Sequence, residues 1–338
     1  MDKYLSINSE NLRYNLDYYK GHTNKKIIAV VKNNAYGHGV KEVSNVIDEK
    51  VNMYAVSNLK EARELKEYTS KDILILDRID DLEDIDKNLI VTIISIKHLK
   101  KMIALNKSIR IHLKVNVAMK RKGILLEEVN EAITLIKESK LILEGIYTHY
   151  STYKLKIVKK EFKLFKESLK DIDITDLLIH ASSSISSLNL KENFTNCIRV
   201  GIGMYGLKKL DKCMNKLKVT TSLYAYSKSI YKIKCFNRFS YHDLYIGRKG
   251  YVLMCVLGYG DGLFSKKFIG YCNGKYIKEI GNKNMDNMYF YSRDYVFDNS
   301  RIELFGSHVS LDRYCKKNKI AVCKILASLN ANITKKIE

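Results

Sequence analysis

Short apolar runs alternate with amphipathic stretches along the first part of the chain. Eight of these runs are bounded by turn residues, which is typical of buried strands. They are Ile27–Lys32, Met53–Ser57, Ile73–Leu76, Ile90–Ile94, Ile109–Val115, Leu143–His149, Leu177–Ala181 and Ile198–Gly203. Apolar residues at helical spacing predict helices between them, at Lys41–Ile47, Asn58–Tyr68, Leu125–Ser139 and Val158–Leu169. Eight strands alternating with helices over roughly two hundred residues predict an α/β fold, a (β/α)8 barrel, with a doubly wound sheet as the alternative.

A different pattern begins after about Leu210. Apolar or alternating segments, separated by Gly and Asn turns, predict the strands of a second, mainly-β domain. They include Lys3–Ile7, Val219–Tyr224, Tyr251–Val256 and Arg301–Leu304. Apolar residues at helical spacing over Leu311–Leu329 predict helical structure near the end of the chain.

The composition narrows the classes of protein that remain. The chain has 338 residues, of which 46% are hydrophobic, enough for a sizeable core and two domains. No apolar run approaches the length of a membrane span, and the first residues lack the apolar segment of a signal peptide. We therefore expect a cytoplasmic protein without a membrane partner. The 7 cysteines lack metal-ligand spacing, so we expect reduced thiols and no metal site.

The net charge of +22, from 59 Lys and Arg against 37 Asp and Glu, raises the question of nucleic-acid binding. The charge is spread along the chain rather than clustered. Basic stretches such as Lys154–Lys166 also carry apolar residues at helical spacing, which favours solvated helix faces. We therefore expect weak, salt-sensitive adhesion to polyanions but no specific nucleic-acid partner.

Lys32 is the first residue that points to chemistry. It follows the apolar run Ile27–Val31 and precedes the polar, glycine-bearing turn Asn33–Gly39. A lysine is expensive to bury and gains nothing from packing. A partly desolvated amine, however, loses its proton more easily and can form a Schiff base with an aldehyde. The residues alone leave a second interpretation open, a lysine whose stem lies on apolar surface while its amine reaches water.

Other polar and charged residues follow the predicted strands in the same way. Barrel active sites lie where the strands end, so these residues are expected at one mouth although they are distant in sequence. They are Lys114 and Arg121, His149, His180 with Ser182–Ser184, and Arg199 with Gly201–Gly203. Serine hydroxyls and glycine amides are suitable donors to phosphate. The alternative for the glycines is that they only allow close backbone packing.

Several motifs, in the same order along the chain, resemble those of the alanine racemase family. The segments are AVVKNNAYGHG around Lys32, YTHYS around His149, NCIRVGIGMYGL around Arg199 and LGYGDG around Tyr259. The resemblance runs from Tyr4 almost to the C-terminus. It implies fold type III, with an N-terminal (β/α)8 barrel over residues 8–212. A C-terminal mainly-β domain over residues 213–338 would include the strand of residues 1–7.

The resemblance implies an amino-acid racemase that uses pyridoxal 5'-phosphate. The leading reaction is L-alanine to D-alanine, for cell-wall precursor supply, in a homodimer with shared active sites. Lys32 and Tyr259 would be the two bases, on opposite faces of the substrate Cα. Racemisation of serine or a broader set of amino acids is one alternative. A family member that binds the cofactor but has degraded catalysis is another.

The resemblance also implies a role for the residues around the cofactor. His149 holds Tyr259, and His180 supports Arg199. Because Arg199 is already protonated, the pyridine nitrogen that it faces stays largely unprotonated, which limits side reactions such as transamination. The cofactor-binding residues are expected to be Lys32, Tyr36, His149, His180, Ser184, Arg199, Gly201 and Ile202.

Two further positions are expected to bind substrate. They are Arg121 and the backbone amide of Met285, in the loop Gly281–Asn287. Lys114 matches the lysine that is carbamylated in many members of the family and orients the arginine.

Three departures from the family pattern affect these expectations. The family's Asp-Thr-Gly after the lysine is replaced by Asn116-Val117-Ala118, which puts the modification of Lys114 in question. Ser183 replaces an asparagine before the phosphate serine. Ala331 takes the place of a tyrosine that touches phosphate and lines the pocket, so we expect wider tolerance of substrates such as serine, with Asn330 or Asn332 as possible contacts.

Overall fold

The computed structural model describes residues 2–80, 86–207, 211–234, 237–239, 244–264, 266–329 and 331–338, with the backbone alone at 237–239 and 244–246. The chain divides into two compact units. The barrel unit comprises Arg13–Ala35 and Val43–Leu217. The β unit comprises Met1–Leu12, Tyr36–Glu42 and Lys218–Glu338. Each unit is therefore built from stretches that are not contiguous in sequence. The domain limits 8–212 and 213–338 stay a prediction.

Eight parallel strands close into a barrel, as predicted, and the doubly wound alternative is wrong. They are β2 (Lys26–Val30), β3 (Met53–Val56), β4 (Ile73–Ile75), β5 (Leu89–Ile93), β6 (Arg110–Lys114), β7 (Ile142–Tyr147), β8 (Leu178–His180) and β9 (Cys197–Val200). Closure occurs between the first and last of them, where Ala29 pairs with Val200. All five residues of β5 are buried, which explains why the strands are apolar runs without alternation.

Helices lie between these strands, with further ones before β2 and after β17. Up to β9 they are Ser9–Thr23, Val40–Ile47, Leu59–Lys66, Ile96–Ala104, Val129–Lys137, Leu155–Glu167 and Ser186–Asn189. Two begin at side-chain caps, where Asn58 accepts from the Glu61 N–H and Ser95 from the His98 N–H. Within the described ranges, the chain holds no helix with the length and apolar character to cross a membrane.

The β unit contains an eight-stranded sheet, which confirms the predicted second, mainly-β domain. Its strands are β1 (Lys3–Ile7), β10 (Thr221–Ile233), β13 (Gly250–Cys255), β14 (Ile269–Cys272), β15 (Lys275–Ile280), β16 (Met288–Ser292), β17 (Arg301–Phe305) and β18 (Thr334–Ile337). The order is β13-β16-β15-β14-β17-β10-β1-β18, and β10 also pairs with β13. Two short strands, β11 (Asn237–Phe239) and β12 (Leu244–Ile246), pair with each other.

The helical segment predicted over Leu311–Leu329 is confirmed, and it consists of two helices, Leu311–Asn318 and Val322–Ser328. Between them Lys319 adopts a left-handed conformation with φ of 57°, and its N–H donates to the carbonyls of the preceding turn. A left-handed residue ends a helix. Glycine usually supplies it, so a lysine in this place gave no signal in the sequence.

Candidate active site

Lys32 lies just beyond β2, in a tight turn rather than in the strand itself. The next four residues, none of them glycine, have positive φ angles of 51° to 56°. Each left-handed residue costs about 1–2 kcal/mol, so the turn needs compensation. The Ala35 N–H donates to the Val31 carbonyl at 2.8 Å. The Asn33 N–H donates to Glu61 Oε1 at 3.0 Å, and the other oxygen of Glu61 accepts from the Ser57 N–H at 2.8 Å. Glu61 thus fixes the turn that carries Lys32 to the end of the neighbouring strand.

Arg199, in β9, is the centre of the barrel mouth and is only 5% exposed. Its Nη1 donates to Nδ1 and to the carbonyl of His180. Its Nη2 donates to the Thr148 carbonyl at 2.7 Å, to the Ala181 carbonyl at 3.1 Å and to Nδ1 of His149 at 3.1 Å. These bonds use Nη1 and Nη2 alone. No carboxylate among the described residues pairs with this buried cation.

Two aromatic residues join this cluster that the sequence analysis did not identify. His112 Nδ1 lies 3.0 Å from His180 Nε2. Tyr147 stacks on the His180 ring with centroids 4.7 Å apart, and the Arg199 guanidinium lies 5.0 Å from the centre of the tyrosine ring. A signal was available for His112, because it stands two residues before Lys114 on one strand and alternate residues point to the same side.

The mouth of the barrel is electropositive. Burial, together with the charges of Arg199, Lys114, Arg121 and Lys32, lowers the pKa of His149 to about 3. Burial and the same arginines, with Lys122, lower the pKa of Lys114 to about 8. His149 is therefore neutral at pH 7, whereas the cations around it remain to attract an anionic ligand.

Ser184 and the glycine run after β9 form the predicted phosphate region. The N–H groups of Gly201 and Gly203 each donate to Ser184 Oγ at 3.1 Å. A Cβ on Gly203 would lie 2.1 Å from the hydroxyl of Tyr19, so only glycine fits here. Because Oγ already accepts two bonds, the serine hydroxyl hydrogen remains as a donor. The Ile202 N–H, between the two glycines, donates to no acceptor in the parts of the chain that the structure describes.

Tyr259 and Met285 lie together in the β unit. The Tyr259 N–H donates to the Asn284 carbonyl at 3.0 Å, and the Gly260 N–H donates to the Met285 carbonyl at 2.9 Å. A Cβ on Gly258 would lie 2.2 Å from the Met285 carbonyl oxygen, which explains the glycine. The two side chains are 41% and 56% exposed. The structure therefore joins the predicted second-base turn to the predicted carboxylate loop.

Asp261 anchors the same turn from within. It is buried, accepts from the Gly258 N–H at 2.9 Å and pairs with the amine of Lys3 at 2.5 Å.

Tyr36 also belongs to the β unit, where burial raises its pKa to about 12.

The residues that depart from the family pattern have ordinary local roles. The Asn116 N–H donates to the Ile124 carbonyl at 2.8 Å, and the Ser183 N–H donates to Ser186 Oγ at 2.8 Å. Ala331 and Asn332 are exposed, and the Ala331 carbonyl accepts from Lys335 Nζ at 2.9 Å. Asn330 lies outside the described residues.

The barrel mouth fits pyridoxal phosphate on three structural grounds. The phosphate would meet the Ser184 hydroxyl and the Ile202 N–H. The pyridine nitrogen, an acceptor, would meet the Nε–H of Arg199, since the bonds described above occupy Nη1 and Nη2. The amine of Lys32 would meet the aldehyde. The surrounding positive charge suits an anionic cofactor.

Comparison with known proteins identifies the family to which the chain is similar. The family model for the alanine racemase N-terminal domain matches residues 7–209. The chain is 32% identical to the alanine racemase of Streptococcus equi subsp. equi, with 83% of this chain and 82% of the relative covered. It is 29% identical to the alanine racemase of Borreliella burgdorferi, with coverage of 97% and 95%.

Solved structures agree in fold. An alanine racemase from E. faecalis superposes with a TM-score of 0.92 at 24% identity and covers 100% of this chain and 98% of its own. A histidine racemase from Leuconostoc mesenteroides subsp. sake gives a TM-score of 0.91 at 18% identity, with the same coverage. Racemases of different substrates therefore share this architecture.

Proposed function

Since this chain belongs to the alanine racemase family, we propose that it interconverts L-alanine and D-alanine with pyridoxal phosphate as its cofactor. The class of enzyme, an amino-acid racemase, follows from the family. The observation that carries the proposal is the buried Arg199 cluster beside Ser184, because it presents donors to both ends of the cofactor. In the cell the product would be D-alanine for peptidoglycan, made in the cytoplasm.

When bound, pyridoxal phosphate supplies an aldehyde that condenses with amines and a conjugated ring that takes up the charge left by a departing Cα proton. Lys32 would bind that aldehyde through its amine. The turn after β2 orients the lysine, because Glu61 ties its backbone to the next strand. Its free amine would be placed to take a proton from one face of the substrate Cα, or to deliver one there, while the second base acts on the other face.

Arg199 would orient the ring and hold its electronic state. Burial lowers the pKa of Arg199, yet a guanidinium remains charged in proteins. It can donate a hydrogen bond to the pyridine nitrogen without surrendering the proton. Arg199 would thus leave the pyridine nitrogen unprotonated, which would favour racemisation over transamination.

Tyr259 would serve the opposite face of Cα. Backbone hydrogen bonds fix the glycine-bounded turn that carries Tyr259. Its side chain is exposed, so the hydroxyl can meet a ligand. Met285, whose carbonyl accepts from the same turn, would offer its amide to the substrate carboxylate, and Arg121 would bind the substrate from the barrel unit. We propose a homodimer in which Tyr259 is supplied by the partner copy.

Serine or a broader range of amino acids is a second candidate. The observation that favours it is Ala331, which is exposed where a tyrosine would fill space. A methylene-sized difference in a pocket is worth about 1–3 kcal/mol, so alanine can still remain the best substrate. The histidine racemase with the same fold shows that architecture alone does not choose the substrate.

The decisive experiment offers single enantiomers of alanine, serine and histidine to the purified protein with pyridoxal phosphate, followed by chiral product analysis. We expect alanine to racemise fastest and serine measurably. Lys32→Ala should abolish turnover and the yellow colour of the bound cofactor. Lys26→Ala, at the other end of the same strand, is the matched control and should keep both. A protein that binds the cofactor but leaves every enantiomer unchanged would refute the proposal.

Shared active sites have their own test. Neither Lys32→Ala nor Tyr259→Phe chains should be active alone, but mixing them should restore activity in heterodimers that hold one intact site. Subunit exchange must be verified by native mass spectrometry. If exchange is complete and no activity returns, the two bases come from one chain.

A further inference from the structure

His112 is a buried histidine for which the proposed reaction has no direct use. It lies in β6, it is fully buried, and its Nδ1 is 3.0 Å from Nε2 of His180. Its other nitrogen, Nε2, is buried and has no hydrogen-bond partner among the residues that the structure describes. A buried, half-satisfied histidine costs stability unless its position serves another purpose.

The hydrogen bonds from Arg199 determine where the protons of both histidines must be. A guanidinium has only donors, so Nδ1 of His180 must accept from it. Neutral His180 then carries its proton on Nε2 and donates it to Nδ1 of His112. His112 in turn carries its proton on Nε2. The tautomers follow from the geometry in one direction, from Arg199 through His180 to His112.

We infer that His112 is a positioning residue that holds His180 in the tautomer which accepts from Arg199. Without an acceptor at His112, the Nε2–H of His180 would be buried and unsatisfied. His180 could relieve this by moving its proton to Nδ1. Two N–H groups would then face each other across the bond to Arg199, and the guanidinium would have to turn away.

The surroundings of His112 are built to admit the ring in this orientation. Gly145 of β7 stands directly opposite in the strand register, and a Cβ there would lie 2.8 Å from Nε2 of His112. The glycine thus makes room for the ring. Burial lowers the pKa of His112 to about 3, and it also lowers the pKa of His180, so both rings are neutral at pH 7. Each ring must be neutral, because only a neutral imidazole has one nitrogen that donates and one that accepts.

Two variants separate this role from packing. His112→Asn places an amide oxygen near the position of Nδ1 and keeps an acceptor. His112→Leu has nearly the same size and shape but has none. Both remove a similar number of ring atoms, so both should lose a similar amount of packing. His98→Leu, at another buried histidine outside the cluster, is the control for removing a buried ring.

The readout is the tautomer of His180, measured by 15N NMR of histidine-labelled protein with and without pyridoxal phosphate, and assigned with His180→Gln. We expect the Nε2–H form in the wild type, in His112→Asn and in His98→Leu, and a shift toward Nδ1–H in His112→Leu. In the racemase assay kcat should fall about 10–100-fold in His112→Leu, the usual effect of an outer partner of a catalytic group, and several-fold less in His112→Asn.

A wild-type His180 that is protonated on Nδ1, or doubly protonated, would overturn the inference even if the leucine variant does not fold. Equal losses of kcat in the asparagine and leucine variants would also overturn it, because they would show packing alone. The effect on turnover rests on the proposed function, but the tautomer does not. A failed racemase assay with the expected tautomers would refute only the proposed function.

Discussion

The barrel mouth and the Tyr259 turn, each in its own unit, are fixed in different ways. At the mouth, the buried side chain of Arg199 makes the contacts, with hydrogen bonds to the rings of His180 and His149 and to three carbonyls. The Tyr259 turn is fixed by hydrogen bonds between backbone groups, and the side chain of Tyr259 is exposed. A change of side chain should therefore damage folding at the mouth but only chemistry at the turn.

The largest effect is expected for Tyr259→Phe. Loss of a general base should slow proton exchange on one enantiomer about 10²–10⁴-fold, with much less effect on the other. The free energy of unfolding should change by less than about 0.5 kcal/mol, because the lost hydroxyl is exposed. Tyr276→Phe, in the same unit and 64% exposed, is the control. Equal, mild losses with both enantiomers would show that Tyr259 only packs.

Arg199→Leu should reduce both the stability of the fold and the binding of the cofactor. It removes a donor from three buried carbonyls, although that of His180 keeps the bond from the Thr148 N–H. Each buried carbonyl left without any donor costs about 1–3 kcal/mol, and the costs are not additive. We expect urea denaturation to show a loss of about 3 kcal/mol, with weaker cofactor retention. Arg121→Leu, at an exposed position, should lower activity without this loss. Unfolding curves that coincide for wild type and Arg199→Leu would contradict the comparison.

Gly258→Ala tests the backbone contacts that fix the Tyr259 turn. The added Cβ would lie 2.2 Å from the Met285 carbonyl oxygen and 2.4 Å from that of Asn284. The two loops must separate, which should cost about 1–3 kcal/mol and displace Tyr259. Gly247→Ala meets nothing within 4 Å and should be silent. Thermal melts and turnover measure both outcomes, and a fully active Gly258→Ala protein would show that the turn needs no such contact.

The last prediction concerns the pH dependence that Lys114 gives to stability. Its pKa is about 8 in the folded chain, against 10.5 ordinarily, so the unfolded chain binds more protons between these values. The free energy of unfolding should therefore rise with pH across this window, relative to Lys114→Met. Lys114→Arg, which stays charged, should lack the rise. A difference between wild type and Lys114→Met that is flat from pH 8 to 10.5 would show that the amine is not desolvated.

The sequence predicted best what depends on periodicity. Apolar runs located all eight barrel strands, and the rule that chemistry follows strand ends selected Arg199, His180 and His149, which the structure brings into one hydrogen-bonded cluster. The functional roles of these residues stay predictions. The left-handed turn after Lys32 could not be foreseen, because its stability comes from Glu61, far along the chain.

Other features depended on contacts that no local pattern encodes. The bond between His112 and His180 joins strands that are not consecutive, and only the closed barrel brings the rings together. The last strand, β18, reads Thr-Lys-Lys-Ile and lacks an apolar alternation. It forms because β1 offers a parallel partner, with Tyr4 opposite Thr334.

That pairing has a consequence for synthesis of the chain. β1 leaves the ribosome well before its partners β10 and β18, which lie near Ala225 and Thr334. At about 5–20 residues per second, the first strand waits on the order of ten seconds or more before it can pair. Throughout that time an apolar strand with open edges is available to other nascent chains. The first few residues are therefore where we expect a chaperone, or a neighbouring polypeptide, to compete with folding.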